Sequence, residues 1–329
     1  MKTSLRLLAG ISATASALAL LPLFSTSAAV AAPTHAKAPM SVSAHPVSYH
    51  FATINGHKIF YREAGDPAAP TIILLHGFPT SSFMFRNLIP ALADKFHVIA
   101  PDYLGFGQSD APAADKFAYS FDSLTSHVTG LIDHLGLKSY VLYMQDYGGP
   151  VGFRIFAERP GAVKGLVVQN TNAYLDGVGD LPKQVFLPLW EKRTAATEAG
   201  ARSFLKPETT QFQYTVGAKA PEAISPDNWV YDQALLDRPG TDAYQLDLLE
   251  NYKTNVALYD SWHAAFRAHQ PKTLIVWGKK DPFFIPAGAE AYQRDLPKAK
   301  LVWLDAGHFV LDENTPQVAA EIKTMFAGQ

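Results

Sequence analysis

Residues 141–150 read VLYMQDYGGP, an apolar run that stops at Asp146 and gives way to two glycines. Two more acid–base side chains stand in matching places. Asp281 follows the run KTLIVWG (272–278), and His308 follows KLVWLDAG (300–307). Two carboxylates and an imidazole, each just past a strand-like run, are the parts of a nucleophilic relay. One carboxylate attacks, the imidazole activates water, and the other carboxylate holds the imidazole in the right tautomer. Each residue also has a plainer use. Asp is a favoured helix N-cap, Asp281-Pro282 opens a turn readily, and a histidine is often a satisfied core residue. Their order and shared placement favour the relay.

An aspartate where a serine is commoner selects a different electrophile. Serine attacking a saturated carbon would leave an ether, which water does not cleave. A carboxylate attacking the same carbon leaves an alkyl ester, whose carbonyl a His-activated water can attack. Carboxylates with a pKa of about 4 are ionised at neutral pH and need no base of their own. The chemistry expected of Asp146 is therefore attack on an sp3 carbon carrying a leaving group, as in epoxides and alkyl halides.

The elements that must hold these residues follow from the hydrophobic pattern. VSYHFATINGHKIFYREAG (47–65) alternates around Asn55-Gly56, a hairpin signal. Short continuous apolar runs, TIILLHG (71–77), HVIAPDY (97–103), YVLYMQD (140–146) and KGLVVQN (164–170), read as buried strands. Between them, SFDSLTSHVTGLIDHLGL (120–137) has helical spacing with Ser120 as cap and Gly136 as stop. A helix is expected over 150–158. From 173 to 262 there are helical patches, prolines and scattered Trp and Tyr, but no strand run. The alternation then resumes with strands 272–278 and 300–307 and helices 287–296 and 316–326. This is an α/β pattern, a mostly parallel sheet covered by helices on both faces. The interruption is too long for a loop and predicts an inserted helical cap. Beyond the strand ends lie His76-Gly77-Phe78-Pro79, Asp102, Asp146 to Gly149, Asn170 to Asn172, Asp281 and His308, where sites of open α/β sheets gather.

The chain has 329 residues, 48% hydrophobic and 18% charged, with a net charge of −2. That balance is globular and offers no basic surface for nucleic acid. There are no cysteines, hence no disulfide, thiolate metal site or Cys nucleophile. LGFGQSD (104–110) lacks the third glycine of a dinucleotide fingerprint and reads as a tight turn with Asp102 structural. No cofactor or metal is expected. Lys2, Arg6, the apolar run to LALLPLF and Ala29-Val30-Ala31 fit a signal peptide over 1–31. Export to a periplasmic or secreted location is expected, with no stable membrane insertion after cleavage. Residues 32–46, rich in Ala, Pro and Ser, predict a flexible leader.

HGFPTSSFMFRNLIPAL, APDYLGFGQSD, QDYGGPVGFRIFAERP, WGKKDPFF and DAGHFVLDENTP are similar, in order, to blocks of the Asp-nucleophile branch of the α/β-hydrolases, the epoxide hydrolases and haloalkane dehalogenases. The resemblance covers about 50–172 and 263–329 and is loose between them. It implies the α/β-hydrolase fold, with a core over 47–172 and 263–329 and a helical cap over 173–262. It implies Asp146 as nucleophile, His308 as base, Asp281 as its partner, and backbone N–H groups of Phe78 and Tyr147 as the oxyanion hole. His76 is read as structural, shaping the loop that carries Phe78.

The leaving group divides the branch. Dehalogenases use a Trp directly after the nucleophile, plus an Asn after His-Gly or a cap Trp. Here those first two positions hold Tyr147 and Phe78, leaving Trp190, Trp229 and Trp262 as cap candidates. Epoxide hydrolases use two cap tyrosines. NYKTN (251–255) is similar to one such block and nominates Tyr252. QFQYTVGA (211–218) resembles the other, but an ungapped match puts Phe212 at the tyrosine's place and nominates Tyr214, two residues on. Some dehalogenases carry the triad acid after the preceding core strand, where this chain reads QNTNAY. The expected function is hydrolysis of a small apolar epoxide to a diol. The alternatives are haloalkane dehalogenation by the same ester route and a catalytically silent small-molecule binding protein on the same fold. Met144, where the elbow usually has a small residue, has no explanation in the sequence. The sequence leaves the oligomeric state open.

Overall fold

A computed structural model describes residues 45–328. The expected signal peptide and nearly all of the expected leader lie outside the described residues. Eight strands form one sheet in the order β1-β2-β4-β3-β5-β6-β7-β8. They are β1 (Ser48–Ile54), β2 (His57–Ala64), β3 (Thr71–Leu75), β4 (His97–Pro101), β5 (Tyr140–Gln145), β6 (Val163–Gln169), β7 (Lys272–Gly278) and β8 (Lys300–Leu304). The β1–β2 and β2–β4 pairs are antiparallel and the rest are parallel. Asn55 and Gly56 join β1 to β2 with φ of 50° and 84°, the left-handed pair a two-residue hairpin needs.

The continuous apolar runs make sense because both sheet faces are covered. Successive side chains of β3, β5, β6 and β7 enter two different cores. Leu75, Leu142, Met144, Val168 and Ile275 pack on one face. Leu74, Val141, Tyr143, Val167 and Leu274 pack on the other. Helix α1 (Leu88–Leu92) and α11 (Leu311–Phe326) contribute to the second core, and α2 (Phe121–His134) and α3 (Gly148–Glu158) to the first. α2 starts where expected, at Ser120, in a capping box completed by Ser123. α11 begins five residues before the expected 316, and Pro316 lies inside it. The helix is kinked at Asn314, whose φ is −124°.

Between β6 and β7 run α4 (Asp180–Glu191), α5 (Ala195–Arg202), α6 (Pro207–Thr215), α7 (Asp227–Leu236), α8 (Thr241–Asn251) and α9 (Lys253–His269). α10 (Pro286–Ala291) follows β7 and is shorter than the expected 287–296, passing into a 3-10 turn over Tyr292–Arg294. The expected cap boundary after 262 falls inside α9. That helix is continuous because Trp262 and Phe266 both bury against Phe153 of α3, with ring centroids 5.3 and 5.4 Å away. Among the described residues no helix is long and apolar enough to cross a membrane.

Candidate active site

Parallel strands deliver their carboxyl ends to one side of the sheet, and the candidate residues sit there. Asp146 follows β5 directly, with φ of 50°. A β-carbon in that left-handed region costs of order 1–3 kcal/mol, and the surroundings must hold it. They do so by close approach. A β-carbon on Gly77 would lie 2.3 Å from the Asp146 β-carbon, so only glycine fits opposite the elbow. From the other side the Thr171 hydroxyl donates to the Asp146 carbonyl at 2.6 Å.

The two carboxylate oxygens of Asp146 have different surroundings. Oδ1 accepts from the backbone N–H of Phe78 at 2.7 Å and of Tyr147 at 2.6 Å. Oδ2 takes no hydrogen bond from the described residues. The two N–H groups expected as oxyanion donors therefore hold one oxygen and leave the other unbound. Burial pushes the Asp146 carboxyl up to about 6, against the pull of His308 and the two N–H groups.

His308 is fully buried beside it. Its Nδ1 lies 2.8 Å from Asp281 Oδ2, and its Nε2 lies 2.8 Å from Gln145 Nε2. A carboxylate can only accept, so Nδ1 carries the proton and Nε2 presents its lone pair to the Gln145 amide. Burial pulls the imidazole down, but Asp281 and then Asp146 outweigh it, and the balance raises it. Asp281 is fixed in turn. Its Oδ1 accepts from the N–H of Phe283 at 2.7 Å and of Phe284 at 3.1 Å, and Asn170 Nδ2 donates to Oδ2 at 2.8 Å.

Gln145 and Asn170 are site residues that the sequence did not single out for a role. Gln145 directly precedes Asp146 in the chain. Asn170 occupies the post-β6 position where some dehalogenases carry their acid, and here it serves the acid that follows β7. Adjacency to two strand ends was their only signal.

His76 and Asp102 are structural, as read. Burial lowers His76 to about 3, so its ring is neutral. Nδ1 meets the Gly77 carbonyl at 2.9 Å, and Nε2 accepts from the Tyr103 N–H at 3.2 Å. Asp102 accepts from the N–H groups of Ser82 and Gln108, both at 2.7 Å.

The helical insertion closes a cavity over Asp146 and His308, with about 60 Å³ of space for the centres of water-sized atoms. That is room for several waters or a small ligand. The walls are mostly aromatic, including Phe186, Phe204 and Phe283. Tyr147 and Tyr252 both line it. Their rings are 6.1 Å apart, and the Tyr147 hydroxyl has no partner among the described residues. Tyr252 is held by Trp190, stacked at 5.7 Å and 4°. Burial first, then Tyr259 and Asp146, drives the Tyr252 phenol well above its ordinary value, so it keeps its proton.

Several insertion residues are not where the sequence put them. Tyr214 does not line the cavity. Its hydroxyl donates to Asp232 Oδ2 at 2.5 Å, and its ring stacks on Phe309 at 4.0 Å. Phe212 also stays out and is 41% exposed. Gln213, between them, faces in. Trp190 lines the cavity but spends its N–H on the Leu249 carbonyl at 2.8 Å. Trp229 and Trp262 do not line it; Trp262 is core. Among the described residues, the one indole lining the cavity has no free N–H for a leaving halide. Among the described residues no cluster of three or more His, Asp or Glu is placed to hold a metal ion.

The elbow also accounts for Met144. Its side chain lies against Gly152 on α3, where a β-carbon would sit 2.3 Å from the sulfur. A large residue on the strand is matched by none on the helix.

Comparisons with known proteins agree with this architecture. The family model for the alpha/beta hydrolase fold matches residues 70–315. A Saccharomyces cerevisiae protein named Uncharacterized hydrolase YNR064C is 40% identical over 83% of this chain and 94% of its own. Haloalkane dehalogenase 2 of Mycobacterium tuberculosis is 30% identical over 82% of this chain and 91% of its own. The crystal structure of a loop variant of haloalkane dehalogenase DbeA from Bradyrhizobium elkanii aligns with a TM-score of 0.65 at 26% identity, covering 86% of this chain and 97% of that one. The protein belongs to the α/β-hydrolase superfamily and is a hydrolase with haloalkane dehalogenase-like relatives.

Proposed function

We infer that the chain hydrolyses small epoxides to diols through an ester on Asp146. The observation that carries this reading is the division of the carboxylate: Oδ1 bound by two backbone N–H groups, Oδ2 free, and a protonated phenol on the same cavity wall. Oδ2 attacks a ring carbon, the carbon–oxygen bond breaks, and Tyr252 gives its proton to the departing oxygen. The product of this step is an alkyl ester whose carbonyl oxygen is Oδ1, already in its donor pair. His308 Nε2 then exchanges the Gln145 amide for a water and takes a proton from it as that water attacks the ester's carbonyl carbon. Negative charge gathers on Oδ1, where Phe78 and Tyr147 stabilise it without rearrangement. Collapse expels Oδ2 with the product, and the imidazolium returns its proton to that oxygen. Asp146, left carrying the water's second proton, releases it to solvent, and solvent reprotonates Tyr252. Epoxide and water go in and diol comes out.

Halide displacement by the same Oδ2 is the second reading, favoured by the names of the relatives. The occupied Trp190 N–H weighs against it. Two measurements separate these readings. His308→Gln incubated with an epoxide should accumulate an adduct of epoxide mass on the peptide carrying Asp146. Bromide release from 1-bromobutane with no epoxide adduct would replace the first reading with the second. The enzyme turned over once in ¹⁸O-water should hold the label in Asp146; label going straight to product sinks the ester route for both. Export rests on residues 1–31 alone, and sequencing of the secreted or periplasmic chain should begin at Ala32.

A further inference from the structure

Gln213 is an amide in the wrong place for a purely apolar cavity. It is 4% exposed, it lines the space over Asp146, and its Nε2 has no hydrogen-bond partner among the described residues. Burying an amide N–H without an acceptor is unfavourable. A leucine or methionine would fill the same volume without that cost. The neighbours show that the chain had other ways to pack α6. Phe212 is turned to solvent and Tyr214 is spent on Asp232, so the amide is what α6 presents to the cavity.

The lining also restricts what the amide meets. Asp146 and His308 are the ionisable acid and base there, and no lysine or arginine joins them among the described residues. An anionic substrate would face the Asp146 carboxylate with no cation to offset it. The free atom is a donor, so the ligand must bring an acceptor. The cavity of about 60 Å³ suits a small ligand.

We propose that Gln213 is a specificity residue that donates its side-chain N–H to a neutral oxygen acceptor on the substrate, separate from the ring oxygen. The preferred substrates are then small uncharged epoxides carrying a carbonyl, ether or hydroxyl group. The proposal rests on the epoxide reading for its chemistry, but not for its binding contact. It differs from the sequence expectation of an apolar substrate.

The test compares glycidamide with 1,2-epoxybutane, each rate divided by that compound's uncatalysed hydrolysis. The wild-type chain should favour glycidamide in kcat/KM. Gln213→Met should erase most of that preference, about five- to tenfold, through a raised KM for glycidamide. An equal preference in both proteins overturns the proposal. So does a wild-type chain that favours 1,2-epoxybutane, a result that stands even if Gln213→Met fails to fold. The binding contact is checked without chemistry by titrating isobutyramide against the fluorescence of Trp190 and the other tryptophans. The wild-type chain should bind it about fivefold or more tightly than Gln213→Met does. Turnover of neither epoxide would sink the epoxide reading alone, and isobutyramide would then decide Gln213: equal affinity for both proteins overturns its role.

Discussion

At the scale of single residues, Asp146, the proposed nucleophile, works from a compromise. Burial that pushes Asp146 up to about 6 also strips water from the attacking oxygen. The reactive form is the ionised one, so kcat/KM should rise with pH through about 6 and level off above it. A stopped-flow pH series measures this, and a profile flat down to pH 4.5 would contradict the buried carboxylate. His308 adds no limb to kcat/KM, because it enters only after the ester has formed. Tyr252→Phe removes the phenol proposed to protonate the ring oxygen and should slow ester formation by about a hundredfold or more. Tyr147→Phe should cost less, since its hydroxyl has no fixed partner to work through. Single-turnover adduct formation in the His308→Gln background separates the two phenols.

At the scale of elements, the strands were readable and the insertion helices were not. Asp146, Asp281 and His308 lie at the ends of buried parallel strands, where continuous apolar sequence fixes where the chain emerges. Phe78 and Tyr147 come with them, one in the loop after β3 and one just past β5. A helix gives no such anchor. Each step along α6 turns the side chain by about 100°, so a shift of one residue exchanges Phe212, Gln213 and Tyr214 between solvent, cavity and core. Which of them faces in depends on Asp232 and Phe309, distant in sequence and unmarked by any motif. Packing between β5 and α3 was hidden for the same reason. Met144 and Gly152 are one unit, and Gly152→Ala should destabilise the fold by about 1–3 kcal/mol through overpacking. Adding Met144→Ala should recover part of that loss in chemical denaturation, as a coupled pair requires. Additive losses would mean the two residues do not share the space.

At the scale of the whole molecule, the insertion and the sheet domain meet across buried acids. Asp232 on α7 accepts from Tyr214, and Asp312 on α11 holds Arg86 at 2.8 Å and Asn228 of the insertion at 2.9 Å. Burial, with Asp312 adding to it, pushes Asp232 up to about 7. Its unfolded value is about 4. A carboxyl raised in the folded state gives stability that is complete below pH 4 and drains away as pH rises to about 7. Thermal melts should therefore show a Tm falling over that window. Asp232→Asn keeps an acceptor for Tyr214 and should flatten the fall, leaving the variant level with the wild type near pH 4.5 and above it at pH 8. An unchanged pH dependence in Asp232→Asn would place the titration elsewhere.

The unequal grip on the Asp146 oxygens has a consequence for the history of each atom. On the proposed ester route Oδ2 departs with the product, and the incoming water's oxygen takes its vacant place. With Oδ1 pinned by two N–H groups, the carboxylate has no occasion to turn over between cycles. The enzyme then behaves as a delay line one cycle long, each diol carrying the water oxygen captured in the cycle before. Transferred from ordinary to ¹⁸O-water, it should release one equivalent of unlabelled diol and then labelled diol alone. A decaying tail of unlabelled product would measure how often the carboxylate slips its hold and rotates.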